Sequence, residues 1–248
     1  ACVVSDRLYQ GLQFEGEVYL LTPDNWRTTL ADGAPDLLLV ESFWESATGH
    51  WNLAQAAPGS EADELRELVA TARRFGIPTA YWFTEDRVYH DHYREMAGHC
   101  EYVFCADAGE IERLKQDGIE AHYLPPCVQP ALHNPFRWHE HYDALDLGVL
   151  FDGWGDLDRY PDDFAVLDEM LEEQRLSIIE SRYLLTHNRL KAAAPEHAGS
   201  ILGCVTGKTR QLALKYASAY VTFDRTLSTA TTRQWQALEA TASYLPVV

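Results

Sequence analysis

Positive charge is scarce in this chain: 20 lysines and arginines stand against 38 aspartates and glutamates, for a formal net charge of −18 and an isoelectric point near 4.8. Proteins that bind duplex nucleic acid or anionic membranes need a basic face to neutralise phosphates, so this balance argues against both. A small basic pocket for one phosphorylated ligand stays open. Long apolar runs are missing as well. None approaches the roughly 18 residues that would suggest a membrane span. The opening residues lack the basic start and apolar stretch of a secretory signal, which makes the cytoplasm the default compartment. Cysteine is sparse: Cys2, Cys100, Cys105, Cys127 and Cys204 are odd in number and never paired as CxxC. Buried free thiols in a reducing compartment fit that pattern better than disulfides or zinc. No GxGxxG follows the first strand, no Walker-type phosphate loop occurs, and no GxSxG elbow is present. The GKT at Gly207 to Thr209 lacks the upstream glycine that such a phosphate loop needs.

What is present is ordinary core material, 46% hydrophobic residues with 23% charged. A chain of 248 residues can hold one large α/β domain or two small ones. Strands are expected at Ala1 to Asp6, Val18 to Leu21, Pro35 to Glu41, Thr79 to Phe83, Tyr102 to Ala106 and Ala121 to Leu124. Between them, Leu65, Leu68, Val69, Ala72 and Phe75 follow helical spacing, with Ser60 and Asp63 as a capping box and Gly76 as the stop. Asp107 caps a further helix that ends at Gly118. After an aperiodic, Pro-rich stretch the rhythm restarts. Strands are expected at Leu147 to Phe151, Leu176 to Ile179, Ser200 to Val205, Ala219 to Phe223 and from Pro246, and helices near 162–174, 210–218 and 231–243. Strands alternating with helices predict parallel sheets. We expect an α/β fold of two consecutive Rossmann-like domains, 1–137 and 138–248, whose carboxyl edges face across a cleft. The chain begins without Met and stops inside an expected strand, so the reading expects trimmed ends and a truncated second domain.

The stretch Pro78 to Tyr93 organises the first half. A buried strand stops at Thr84, and Glu85, Asp86, Arg87, His90, Asp91 and His92 follow, where α/β sheets bind ligands. Glu85 or Asp86 suits a general base, because a carboxylate at a cleft accepts a proton from an attacking hydroxyl; a solvated turn capping the next helix is the plain alternative. His90 and His92 flank Asp91, but zinc needs three or four converging ligands and no second cluster is evident, so no metal is expected. Glu41, Trp44 and Trp51 follow the preceding strand and suit an acceptor pocket or an aromatic lid. In the second half Arg159, Arg182, His187, Arg189 and Lys191 concentrate positive charge fit for a diphosphate, or for ordinary surface pairing. Glu239 lies in a helix just before a strand.

Segments TPDNW (Thr22 to Trp26), PDLLLVESFW (Pro35 to Trp44), GIPTAYWFTED (Gly76 to Asp86), YVFCAD (Tyr102 to Asp107) and LPPCVQPALHNP (Leu124 to Pro135) together resemble the spore-maturation (CgeB-like) glycosyltransferases of GT-B architecture. The likeness covers nearly all of the first half. The second half is similar more loosely, at FDGWGDLDRYPDD (Phe151 to Asp163), LSIIESR (Leu176 to Arg182) and EATASYLPVV (Glu239 to Val248). The resemblance implies an acceptor-side domain carrying Glu41, Trp44, Trp51 and His90, and a donor-side domain. In the donor domain Gly153 opens the glycine turn, Arg159 and Arg182 contact the diphosphate, and Glu239 binds ribose. Tyr244 stands where the family has a small glycine, and Trp235 and Gln236 where it has an arginine.

The expected function is a metal-independent transfer of a sugar from a nucleotide-diphosphate donor to a hydroxyl acceptor on a glycan, protein or small molecule. Asp86 or Glu85 would be the base, and no cofactor is needed. The alternative is a GT-B fold with a decayed donor pocket, kept as a binding or assembly subunit. Family relatives occur in bacteria and phages, which allows a phage- or surface-associated role. A two-lobed binding protein of the periplasmic type is a weaker third reading.

Overall fold

The computed structural model describes the chain except residues 86, 137–145, 153–160, 174, 180–194, 204, 206 and 224–231, together with the side chains of 88, 161, 163, 164, 173, 195, 196, 232 and 233. The chain divides into two compact units, one built on Ala1–Cys127 with Thr226–Gln234 and the other on Val128–Arg225 with Trp235–Val248.

The first unit holds strands β1 (Cys2–Val3), β2 (Leu38–Glu41), β3 (Thr79–Phe83), β4 (Tyr102–Cys105) and β5 (Ala121–Tyr123), and helices α1 (Asp6–Leu12), α2 (Trp26–Gly33), α3 (Ser60–Arg74), α4 (His90–His99) and α5 (Ile111–Gln116). The strands form one parallel sheet in the order β1-β2-β3-β4-β5. Leu20 adds a parallel bridge to Cys2 on the other edge of β1. The chain therefore runs outward from β1 to Leu20, then returns to β1's opposite side, reversing direction between β1 and β2. That reversal is the switch point at which open α/β sheets bind ligands. Central β3 is buried at all five positions, as its apolar TAYWF requires of a strand covered on both faces. Leu65, Leu68, Val69 and Ala72 of α3 join Trp26, Trp51, Tyr81 and Phe83 in the core.

The second unit contains β6 (Val149–Asp152), β7 (Leu176–Ile179), β8 (Ile201–Gly203) and β9 (Ala219–Val221), with α6 (Pro161–Glu173), α7 (Gly207–Tyr216) and, from Trp235 on, α8 (Thr232–Ala242). The parallel sheet has the order β8-β7-β6-β9, and Val247 bridges Tyr220 beyond β9. Its direction reverses between β6 and β9. Successive strand residues point to opposite faces: Val149 and Phe151 pack with Leu167 of α6, whereas Leu150 packs with Ala213 and Leu214 of α7 and Ala240 of α8. Helices on both faces make this a Rossmann-like layer.

Several local expectations change. Val18 to Leu21 contributes a single bridge, and 246–248 likewise pairs with β9 without forming a regular strand. Asp6 opens α1, with the Ser5 hydroxyl accepting from the Leu8 amide, so the first strand ends earlier than its sequence suggests. Gly59, not Ser60, caps α3, and no side-chain capping bond forms. Residues 90–93, read with the loop after β3, belong to helix α4; its buried face is His90, Tyr93, Met96 and Ala97, and a histidine in that stripe hid the period. Segment 128–136, read with the first half, packs on the second: Lys215 Nζ donates to the Asn134 backbone carbonyl and, at 3.1 Å, to its side-chain oxygen.

Candidate functional site

At the first switch point the ends of β1, β2 and β3 present Ser5, Glu41 with Ser42, and Thr84 with Glu85. Glu41 is 3% exposed. Its Oε2 accepts from the Ser5 amide at 2.7 Å and its Oε1 from the Thr84 hydroxyl at 2.7 Å, while its own carbonyl accepts from Gln55 Nε2 at 2.8 Å. Burial pushes the Glu41 carboxyl up, and the bonds from Ser5 and Thr84 work in the other direction. A buried carboxylate is tolerable because it is bonded on both oxygens. Glu41 thereby braces three strand ends. Ser42 Oγ accepts from the amides of Thr84 at 2.8 Å and Glu85 at 3.0 Å, which fixes the turn carrying Glu85.

His90 is fully buried at the start of α4. Its Nε2 donates to the Glu85 carbonyl at 2.9 Å, and its Nδ1 lies 3.5 Å from Glu110 Oε2. Glu110 is buried too, paired with Arg87 and, at 3.2 Å, with Arg113. Burial lowers the His90 pKa, and the Glu85 carbonyl and Glu110 oppose that shift. Trp44 is half-buried, with Tyr89, Tyr93 and His92 ring centroids at 5.1, 5.5 and 5.7 Å. Trp51 belongs to the core at 0% exposure, its indole N–H donating to the Leu21 carbonyl at 2.9 Å. Asp86 lies outside the described residues, as do Gly153, Arg159 and Arg182.

At the second switch point Asp152 ends β6. Arg210, in the first turn of α7, donates from Nε to Asp152 Oδ2 at 2.5 Å and from Nη1 to Glu239 Oε2 at 2.6 Å. Glu239 is 2% exposed, with His133 Nε2 at 3.7 Å from its Oε1. Burial works against the Arg210 charge, but the Asp152 and Glu239 carboxylates more than offset it and hold the guanidinium well above the usual arginine range. Glu239 lies on the stripe of α8 that buries Trp235, Gln236, Ala240 and Ser243. Arg210 sits one turn before the buried Ala213 and Leu214 of α7. Helix α8 thus carries the acid Glu239 on its core-facing stripe, and α7 carries two cations, Arg210 and the buried Lys215. That signal was available in the sequence for Arg210, which had served only to mark a helix start; Asp152 and His133 had no such mark. Tyr244, 78% exposed, follows α8. Among the described residues no cluster of His, Cys, Asp and Glu fits a metal ion.

No protein-family model matches the chain. An α-glucosyltransferase solved with UDP and a 13-mer DNA containing an HMU base superimposes with a TM-score of 0.55, at 10% identity, over 90% of this chain and 63% of that one. Anabaena HepE in complex with UDP and glucose gives 0.53, at 10% identity, over 89% and 60%. The fold is GT-B. At this identity the likeness carries the GT-B architecture of two Rossmann-like domains and nothing of specificity, and the chain spans about three fifths of each GT-B neighbour's length. Among curated sequences, the acyl-coenzyme A diphosphatase SCS3 of Saccharomyces cerevisiae is 26% identical over 137 residues, 49% of this chain and 34% of that protein. Among the described residues no helix is long and apolar enough to cross a membrane.

Proposed function

We propose that the chain is a GT-B-type glycosyltransferase that moves a sugar from a nucleotide-diphosphate donor to a hydroxyl acceptor. The Asp152–Arg210–Glu239 cluster at the second unit's switch point carries this reading. Arg210 Nη2 is buried and makes no hydrogen bond among the described residues, so it is the part of the guanidinium left for a phosphate oxygen. Positive charge fixed there offsets charge growing on the departing diphosphate. Glu239 accepts hydroxyls of the ribose, as the family resemblance implies, and Arg159 and Arg182 add diphosphate contacts. In the first unit, Glu85 or Asp86 accepts the acceptor's proton, and Trp44 offers an aromatic edge to it. UDP in both GT-B neighbours supports a uridine donor. The DNA in one of them is not carried over, because a net charge of −18 opposes duplex binding.

One observation favours a binding subunit with a decayed donor pocket: Glu239 already holds Arg210 and is 2% exposed. Thermal shift with a panel of nucleotide sugars, followed by donor hydrolysis and transfer assays, separates the readings. The enzyme reading expects a nucleotide to raise Tm, Glu239→Ala to abolish that rise, and Glu85→Gln or Asp86→Ala to cut turnover about 100-fold with binding kept. No rise with any nucleotide would favour the binding subunit.

A further inference from the structure

Resting on the glycosyltransferase reading, we infer that His90 is a positioning residue for Glu85: it holds the backbone of the base rather than touching substrate. The turn after β3 is tied from three directions. Ser42 Oγ takes the amides of Thr84 and Glu85, and His90 Nε2 takes the Glu85 carbonyl at 2.9 Å. Both backbone polar groups of Glu85 therefore end on side chains that are themselves buried, Ser42 at 1% and His90 at 0%. A carbonyl only accepts, so Nε2 carries the proton, and Nδ1 lies 3.5 Å from Glu110 Oε2 without a hydrogen bond among the described residues. Glu110 is held in turn by Arg87 and Arg113.

Packing does not call for this arrangement. The His90 ring packs at a tilt against Phe83, 4.9 Å between centroids, on a helix face otherwise made of Tyr93, Met96 and Ala97. An apolar side chain of the same size would fill that place without bringing an imidazole and a carboxylate out of water, the carboxylate being paired with Arg87 and Arg113, whose side chains keep contact with solvent. What the polar version adds is a directed bond to one carbonyl, and that carbonyl belongs to the residue proposed to take the acceptor's proton. A base misplaced by about 1 Å loses roughly 100-fold in rate.

The test uses two variants of matched length in the full chain. His90→Gln keeps an N–H where Nε2 stands, and His90→Met keeps the bulk and removes it. With wild-type transfer established, His90→Met is expected to lower kcat by about 10- to 100-fold with KM for donor and acceptor within about twofold, and His90→Gln to restore kcat to within about threefold. Equal kcat in the two variants would overturn the inference, as would a loss confined to KM. Hydrogen exchange at the Glu85 amide gives a second readout that needs no substrate. It is expected to be faster in the Met variant than in the Gln variant, and equal protection would overturn the positioning role even if no nucleotide sugar proves to be a donor. Wild-type inactivity with the expected exchange difference would sink the glycosyltransferase reading and leave the pinned turn standing.

Discussion

His90 has no exposed surface, and the groups facing it are Glu110 and Asp107, which favour its charged form, and Arg113, which disfavours it. Burial outweighs them and lowers its pKa from the ordinary 6.5. The unfolded chain then takes up a proton at a pH where the folded one does not. The stability tied to neutral His90 is complete above 6.5 and is lost as pH falls from there through the lowered folded value. Urea titrations across that window are expected to show stability falling with a slope of at most about 1.4 kcal/mol per pH unit from this group. His90→Gln is expected to flatten that limb, and an unchanged slope would place the proton elsewhere. The same residue marks a limit of sequence reading. Glu85 and His90 were legible as a cluster past β3, but their division of labour was not, because residue type does not say which groups are buried. Trp51 shows this from the other side: an aromatic after a strand end suits a sugar platform or a core, and the Leu21 carbonyl on its indole N–H makes it core.

Three helices end in one motif with different residues at its critical position. After α3, Gly76 (φ 73) and Ile77 donate to Arg73 and Ala72; after α5, Gly118 (φ 81) and Ile119 donate to Lys115 and Leu114. After α8, Tyr244 (φ 65) and Leu245 donate to Thr241 and Ala240 in the same way. The left-handed residue of this motif is usually glycine, since a Cβ there crowds the next carbonyl at about 1–2 kcal/mol. The Tyr244 ring is 78% exposed, so packing returns little of that cost. Tyr244→Gly is therefore expected to stabilise the protein by about 1 kcal/mol, seen as a Tm higher by roughly 2–4 °C in a calorimetric scan. A lower Tm would mean that the ring has a partner. The glycine stops of α3 and α5 were readable for the same reason that the stop of α8 was not. The short α1 and α2 were missed because tertiary packing, here around Leu8, Trp26 and Leu30, supplies what seven or eight residues of weak pattern do not.

At the scale of the whole chain, two parallel sheets in sequence were legible from the strand–helix rhythm, while the reversal of direction within each sheet was not. One reversal depends on the single bridge at Leu20 and the other on β9 joining the far side of β6, and neither leaves a local pattern. Net charge, by contrast, is plain in the sequence and has a consequence for the proposed donor. A nucleotide-diphosphate sugar is an anion approaching a chain of net charge −18, so the long-range field opposes its arrival while Arg210 attracts it at contact. The two effects differ in range. Raising ionic strength from about 0.01 M to about 0.15 M shortens the screening length from about 30 Å to about 8 Å, which removes most of the distant repulsion. The Arg210 contact, with the guanidinium enclosed by Asp152 and Glu239, is screened much less. Titration calorimetry with UDP is therefore expected to show Kd falling by about threefold between those salt concentrations, opposite to the weakening expected of a protein that captures phosphates with a broad basic surface. A Kd that rises with salt would mean that the nucleotide is held by exposed cations and not by the buried Arg210 cluster.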